Sequence, residues 1–234
     1  MGTVLTVFRS GATEVDLGPN TYKGGYLPEY VQAMQRQVRK WAPKGTRFVC
    51  LSDVQVPDVE CIPLTTDWPG WWSKMEMFRP DLDFEFFYTD LDNLIVGRMD
   101  SLFPCGKFVL NGPPGIWNTG AMHVPRHVCA QIWGDFTRDP ERHMAESTER
   151  LVNGHNGDEV FLIPYTHGKA LKWDDVAPGQ VVFSRPIVEG TGPPGLRRPL
   201  ANWKPCNERV LVGAGKENRP WKHELLRPYG MYDA

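Results

Sequence analysis

The sequence predicts an α/β fold in which the strands of an open sheet alternate with helices, and three observations carry that reading. Short apolar runs rich in Val, Leu, Ile and aromatic residues recur along the chain, as strands buried on both faces require. Between them stand segments with apolar residues at helical spacing, bounded by Pro and Gly. Two of the apolar runs end on a carboxylate, and ligands of open α/β sheets sit at the carboxyl ends of strands.

Residues 3–8, Thr3-Val4-Leu5-Thr6-Val7-Phe8, read as the first buried strand. The loop from Arg9 to Gly25 holds four glycines and a proline; in nucleotide-binding α/β folds the loop after the first strand commonly lines base and ribose. Pro28 opens a helix to about Trp41, with Tyr30, Val31, Met34 and Val38 at helical spacing, and Pro43-Lys44-Gly45 ends it. Arg47-Phe48-Val49-Cys50-Leu51 is a second strand, terminating on Ser52-Asp53, where Asp53 is a candidate base or ribose contact. Cys61 to Pro69 reads as irregular. Trp71 to Phe78 reads as a short helix with Trp71, Met75 and Phe78 on one side and Lys74 off that stripe, sixteen residues before Asp90.

Phe84-Glu85-Phe86-Phe87-Tyr88-Thr89 then leads into Asp90-Leu91-Asp92-Asn93, followed by the apolar Leu94-Ile95-Val96. Mn²⁺ or Mg²⁺ takes hard oxygen ligands, typically one or two carboxylates plus the phosphates of a substrate. Asp90 and Asp92, one residue apart at a strand end, suit such an ion holding a diphosphate. The bland alternative is an ordinary turn, since Asp and Asn are common there.

Lys107-Phe108-Val109-Leu110 predicts another strand. After Gly112-Pro113-Pro114-Gly115, the segment Trp117 to Val124 predicts a strand whose central small residues, Thr119-Gly120-Ala121, suit close approach to a ligand. Helices follow from Pro125 to about Phe136 and from Pro140 to Val152. Asn153 to Gly157 breaks the chain before Asp158-Glu159, two acids opening an apolar helix, where acids favour the macrodipole in any case. Residues 186–199 read as a mobile loop, and Arg209-Val210-Leu211-Val212 as a last strand running into Gly213-Ala214-Gly215-Lys216.

At 234 residues, 41% hydrophobic and 23% charged, the chain suits one globular domain, or one domain with a small appendage. A net charge of −2 excludes a global basic field for nucleic acid. Residues 185–234 are locally basic, with nine Lys or Arg against five Asp or Glu. Five cysteines without metal-ligand spacing argue for reduced thiols and a cytoplasmic setting. No apolar run approaches a membrane span, and the N-terminus lacks a signal-peptide pattern. Met1-Gly2 with Thr6 formally fits a myristoylation pattern, but residues 3–8 read better as a strand. The nine tryptophans suit sugar stacking as well as a large core.

Taken together, the motifs resemble the glycogenin-like, retaining branch of the GT-A nucleotide-sugar glycosyltransferases. The residues that carry the resemblance are Lys74, the Asp90-Leu91-Asp92 motif with its following apolar run, Asn118-Thr119-Gly120, Gly157-Asp158-Glu159, and Gly215-Lys216 with Pro220-Trp221. It spans roughly residues 3–222. The resemblance implies a single domain, 1–234, with a mixed, mostly parallel central sheet flanked by helices. It further implies metal-dependent transfer of a sugar from a nucleotide diphosphate, of the uridine kind, with retention. Asp90 and Asp92 would then hold Mn²⁺ or Mg²⁺, with Lys74, Lys216, Asp53 and Asp90 on the donor. Asn118, Asp158 and Glu159 would serve the reacting sugar.

Two departures stand out. Ala214 replaces the histidine that supplies the family's third metal ligand, and none of His123, His155, His167 or His223 is singled out to replace it. Glu159 stands where the family has glutamine. The acceptor stays open among glycan, protein and nucleic acid. Two rival readings are a haloacid-dehalogenase-like phosphatase using Asp90 and Asp92, and a binding module for sugar nucleotides or glycans without turnover.

Overall fold

Every position of Thr3–Phe8 is buried, and this segment forms β1 in the interior of a seven-stranded sheet. The computed structural model describes residues 2–11, 14–15, 22–23, 26–104, 106–112, 117–150, 152, 156–183 and 207–213. The loop expected at 186–199, together with Ala214, Lys216, His155 and His223, lies outside these residues.

In chain order the strands and helices are β1, β2 (Glu14–Val15), β3 (Tyr22–Lys23), α1 (Pro28–Trp41), β4 (Arg47–Ser52) and β5 (Glu60–Pro63). A 3₁₀ helix (Gly70–Phe78), β6 (Phe86–Thr89), β7 (Leu94–Ile95), a second short 3₁₀ turn (Asp100–Leu102), β8 (Val109–Asn111) and β9 (Asn118–Val124) follow. The remainder is α2 (Arg126–Thr137), α3 (Pro140–Glu149), α4 (Asp158–Thr166), β10 (Leu171–Lys172), α5 (Trp173–Val176), β11 (Val181–Phe183) and β12 (Val210–Val212).

The main sheet runs β10-β8-β9-β6-β1-β4-β5. β1 is parallel to β4 and to β6, β4 to β5, and β8 to β10, whereas β9 is antiparallel to both its neighbours. A small sheet, β11-β12-β7, and the antiparallel pair β2-β3 complete the described strands. The expected α/β architecture, a mixed and mostly parallel sheet flanked by helices, is therefore present.

This pairing positions the site. Because β1, β4 and β6 are parallel, their carboxyl ends at Arg9, Asp53 and Asp90 share one edge of the sheet. Because β9 runs the other way, its first residues, Asn118 to Gly120, arrive at that same edge, with Ala121 opposite Thr89. Alternation along β1 sends Val4 and Phe8 to one face, with Val31, Met34 and Val38 of α1, and Leu5 and Val7 to the other. That second face packs against Trp72, Met75 and Phe78 of the 3₁₀ helix and Phe136 of α2.

Three local expectations are corrected. The segment Cys61 to Pro69 is irregular only after Pro63: β5 occupies Glu60–Pro63, an edge strand whose partly exposed residues show no apolar run to read. The helix around Met75 is 3₁₀ and is buried on nearly every side from Trp72 to Phe78, so no single stripe defines its inner face. Lys74, expected off the apolar stripe, is consequently buried, at 8% exposure.

The same 3₁₀ helix carries Glu76, which is fully buried. It accepts from the backbone N–H of Thr65 at 2.7 Å and of Thr66 at 2.8 Å, from both their hydroxyls, and from Arg79 at 3.0 Å. Arg79 in turn donates to Pro63 O and to Asp81, so one carboxylate fixes the exit from β5. Burial opposes the charge, but the bonds from Thr66, Thr65 and Arg79 outweigh it and hold the Glu76 carboxyl below its ordinary 4.5. A carboxylate with a depressed folded pKa contributes stability that is present above the unfolded value and lost as pH falls through the folded one. Glu76→Gln therefore costs about 3 kcal/mol at neutral pH. Its stability also declines less steeply than the wild type's below pH 4.5, which denaturant midpoints measured at neutral and acid pH would register.

Candidate active site

The acidic turn after β6 is built on Asn93, a fully buried amide. Its Nδ2 donates to Gly120 O at 2.6 Å and to Thr89 Oγ1 at 3.0 Å, and its Oδ1 accepts from Gly213 N at 3.0 Å. One side chain thus ties the turn to the start of β9 and to the residue after β12. Asp90 N donates to Gly120 O at 2.8 Å, which sets the turn's entry. The two glycines permit this closeness. A Cβ on Gly213 would stand 2.5 Å from Asp92 O and 3.0 Å from its carboxylate carbon, and one on Gly120 would stand 3.2 Å from Asp90 Oδ2.

Lys74 is the centre of the site. Its Nζ lies 3.1 Å from Asp158 Oδ2 and 3.3 Å from Asp90 Oδ1, and donates to Thr119 Oγ1 at 3.0 Å. Thr119 in turn donates its hydroxyl to Asp158 Oδ2 at 2.6 Å. Tyr88 donates to Asp90 Oδ1 at 2.5 Å, and the Lys74 ammonium sits 5.3 Å from the centre of the Tyr88 ring. Burial alone would neutralise Lys74; the fields of Asp158 and Asp90, the hydrogen bond to Asp158 and the more distant Glu159 overcome it and raise the pKa above 10.5. Burial also raises Asp90, against the pull of Lys74 and Tyr88. Lys74 is thus a fixed cation. Among the described residues, the Tyr88 and Lys74 contacts of Asp90 both fall on Oδ1, and Oδ2 stands where a Cβ on Gly120 would approach it.

Asp158 and Glu159 open α4. Gly157 precedes them with φ 70°, the left-handed region that favours glycine, and a Cβ there would meet Trp71 Nε1 at 2.5 Å. The glycine therefore seats α4's first turn directly on Trp71. Asn118 donates to Glu159 Oε1 at 2.7 Å while its own Oδ1 accepts from Gly120 N at 3.0 Å, so the Glu159 carboxylate is held from β9.

Two cavities share Trp71, Lys74 and Asp90 as a wall. One, of about 130 Å³, is lined further by Val7, Arg9, Tyr26 and Tyr88. The other, of about 220 Å³, is lined by Thr119, Asn156, Asp158 and Glu159. Asp53 stands apart from both, on the exposed loop side, where its two oxygens accept from the backbone N–H and hydroxyl of Ser10 at 2.8 and 2.9 Å.

The structure brings Lys74, Asp90, Asn118, Asp158 and Glu159 together. Asp92 lies in the same turn, partly buried against Gly213. Lys216 falls outside the described residues. Among the described residues no cluster of three or more His, Cys, Asp or Glu side chains forms a ready metal cage. His123 is turned away, its Nδ1 2.7 Å from Lys107 O. Thr119, Tyr88 and Asn93 also build the site, and no sequence motif marks them as doing so. Thr119 and Asn93 were visible as polar residues flanking the two motifs, whereas Tyr88 is hidden in the aromatic strand.

The mixed sheet, with an acidic turn at the carboxyl end of β6 and a reversed strand beside it, matches the GT-A fold of solved glycosyltransferases. Solved structures agree. The glycosyltransferase GlyE of Streptococcus pneumoniae TIGR4 superposes with a TM-score of 0.63 at 12% identity, over 99% of this chain and 59% of that one. This chain therefore spans less than two thirds of GlyE. The galactosyltransferase LgtC, in complex with donor and acceptor sugar analogues, superposes with a TM-score of 0.58 at 11% identity, over 98% of this chain and 94% of that one. An active-site mutant of LgtC, glutamine replaced by glutamate, superposes with a TM-score of 0.62 at 11% identity. No family model matches the sequence, and no curated protein matches it either.

Proposed function

We propose that the chain is a metal-dependent glycosyltransferase that moves a sugar from a nucleotide diphosphate donor, of the uridine kind, to an acceptor, with retention, in the cytoplasm. The observation that carries this reading is Lys74, a buried ammonium braced by Asp90, Thr119 and Asp158 and forming a wall of both cavities. A fixed cation at the junction of two cavities suits a group that gains negative charge as a bond breaks between them. The departing diphosphate is such a group. The nucleotide side is the cavity with Arg9, Tyr26 and Trp71, and the sugar side is the one with Asp158 and Glu159.

A divalent ion fits the acidic turn. Asp90 Oδ2 and the Asp92 carboxylate are hard oxygen donors, and the glycines at 120 and 213 keep the space beside them clear. Asp90 and Asp92 would hold Mn²⁺ or Mg²⁺, with the donor's phosphates completing the shell in place of the histidine that Ala214 displaces. When bound, the ion supplies Lewis-acid neutralisation of the diphosphate. The chain's own groups do the remainder. Lys74 counters the leaving group's charge, and Asp158 keeps Lys74 in place. Glu159, oriented by Asn118, faces positive charge developing on the sugar, as carboxylates do in glycoside chemistry.

The test is release of nucleotide from UDP-sugars incubated with the chain and Mn²⁺, with and without candidate glycan, protein and nucleic-acid acceptors. The expected result is nucleotide release that needs Mn²⁺, stops on chelation and rises with the right acceptor. Binding without release in any combination would instead make the chain a sugar-nucleotide binding module. Hydrolysis of a simple phosphoester, lost in Asp90→Asn and indifferent to sugar nucleotides, would make it a phosphatase.

A further inference from the structure

Cys50 on β4 and Cys61 on β5 are direct partners in the parallel register, so their side chains leave the same face of the sheet. Both pack on the cluster that holds Val4, Val56 and Val59. Cys50 is fully buried, while Cys61, on the edge strand, is partly open to solvent. Cys61 Sγ accepts from Val56 N at 3.4 Å. We propose that Cys50 and Cys61 form an oxidation site, a dithiol that closes to a reversible cross-strand disulfide when the chain meets a hydroperoxide.

The chemistry assigns each sulfur a step. The adjacent Cys50 thiol and the Val56 N–H, against the opposing effect of burial, lower the Cys61 thiol to about 6, which makes it the nucleophile; Cys50 is raised in turn. The Cys61 thiolate attacks one peroxide oxygen, the O–O bond breaks, and hydroxide leaves and is protonated to water or, from an organic peroxide, alkoxide to alcohol. Cys61 is then a sulfenic acid. The Cys50 sulfur attacks it, the S–O bond breaks, and the hydroxide leaves with the Cys50 proton as water. Two thiols have been oxidised and one peroxide bond reduced.

The geometry admits the bond with a small adjustment. Neighbouring strands stand about 4.8 Å apart, inside the range of about 4.4–6.8 Å that disulfide Cα atoms span, while disulfide Cβ atoms approach to about 3.5–4.5 Å. Closure therefore draws β5 inward slightly, and among the described residues β5 has only β4 as a strand neighbour. A strained, accessible disulfide is readily reduced, hence the reversibility. Cys129 offers the contrast: it is buried, its thiol is pushed up to about 12 by that burial, and its Sγ faces only Pro125 O at 3.8 Å.

Residues 48–74 contain Cys50 and Cys61 and no Lys or Arg before Lys74, so trypsin leaves both cysteines in one peptide. The whole chain is treated with hydrogen peroxide, the remaining thiols are alkylated and the tryptic peptides are weighed. The expected peptide is lighter by two hydrogens and carries no alkyl group, and dithiothreitol restores both alkylation sites. In Cys50→Ala, Cys61 is expected instead to be trapped by dimedone as the sulfenic acid. The proposal is overturned if the wild-type peptide keeps both alkylation sites while other thiols are consumed. It is overturned equally if Cys61 reaches the same oxidised product whether or not Cys50 is present.

Discussion

Lys74→Met is expected to destabilise the fold by about 3–5 kcal/mol and to abolish sugar transfer. Methionine fills nearly the same volume, so lost packing contributes little. The loss comes from the charge. Removing the ammonium leaves Asp158 and Asp90 beside each other at a buried site with their common cation gone, when one lay 3.1 Å and the other 3.3 Å from it. Thr119 also loses its donor and can no longer be oriented from both sides. Because the folded pKa of Lys74 lies above the ordinary 10.5, its contribution is fully present at neutral pH and is lost only as pH rises through the raised value. The deficit should therefore appear undiminished at neutral pH, as a lower denaturant midpoint with an unchanged slope. A midpoint within about 1 kcal/mol of the wild type would show that the ion network is not what holds α4 and the acidic turn together.

The residues of this network differ in how far the sequence announces them. β1, β4, β6 and β9 are apolar enough to be read directly, and their carboxyl or amino ends point to Asp53, Asp90 and Asn118. The pair Asp158-Glu159 is equally visible as acids opening a helix. What the sequence hides is pairing across the sheet. Only the antiparallel insertion of β9 brings Asn118 and Thr119 to the edge where β6 ends, and no local pattern marks a strand as reversed. Lys74 is hidden by its charge. Positions 71, 74, 75 and 78 share one face even of an ideal helix, so its spacing points inward, but a lone lysine reads as solvated until the fold brings Asp90, Thr119 and Asp158 round it. β5 escaped notice because an edge strand ending in proline has no apolar alternation to detect. Glu76 would read in sequence as an ordinary helix-surface acid, and its burial depends on Thr65, Thr66 and Arg79, which reach it only through the fold.

Asp92→Ala tests the metal while leaving the Lys74–Asp90–Tyr88 network in place, which a change at Asp90 does not. Asp90 is bonded to Tyr88 and Lys74, so its removal disturbs the buried network together with any ion. The turn that carries Asp92 is held instead by Asn93, through Gly120 O, Thr89 Oγ1 and Gly213 N, and none of those bonds uses the Asp92 side chain. With those bonds intact, the variant should keep the wild-type circular dichroism. Its Mn²⁺-dependent affinity for a UDP-sugar should fall by about 100-fold or more, since loss even of groups that merely support a metal ligand costs about 10- to 100-fold. Affinity for uridine alone, which has no phosphate to meet the ion, should not change. Calorimetric titration with each ligand, with and without Mn²⁺, distinguishes the cases. Equal donor affinity in wild type and Asp92→Ala at saturating Mn²⁺ would remove Asp92 as a metal ligand, and the diphosphate would then rest on Lys74 and the other cations of the site.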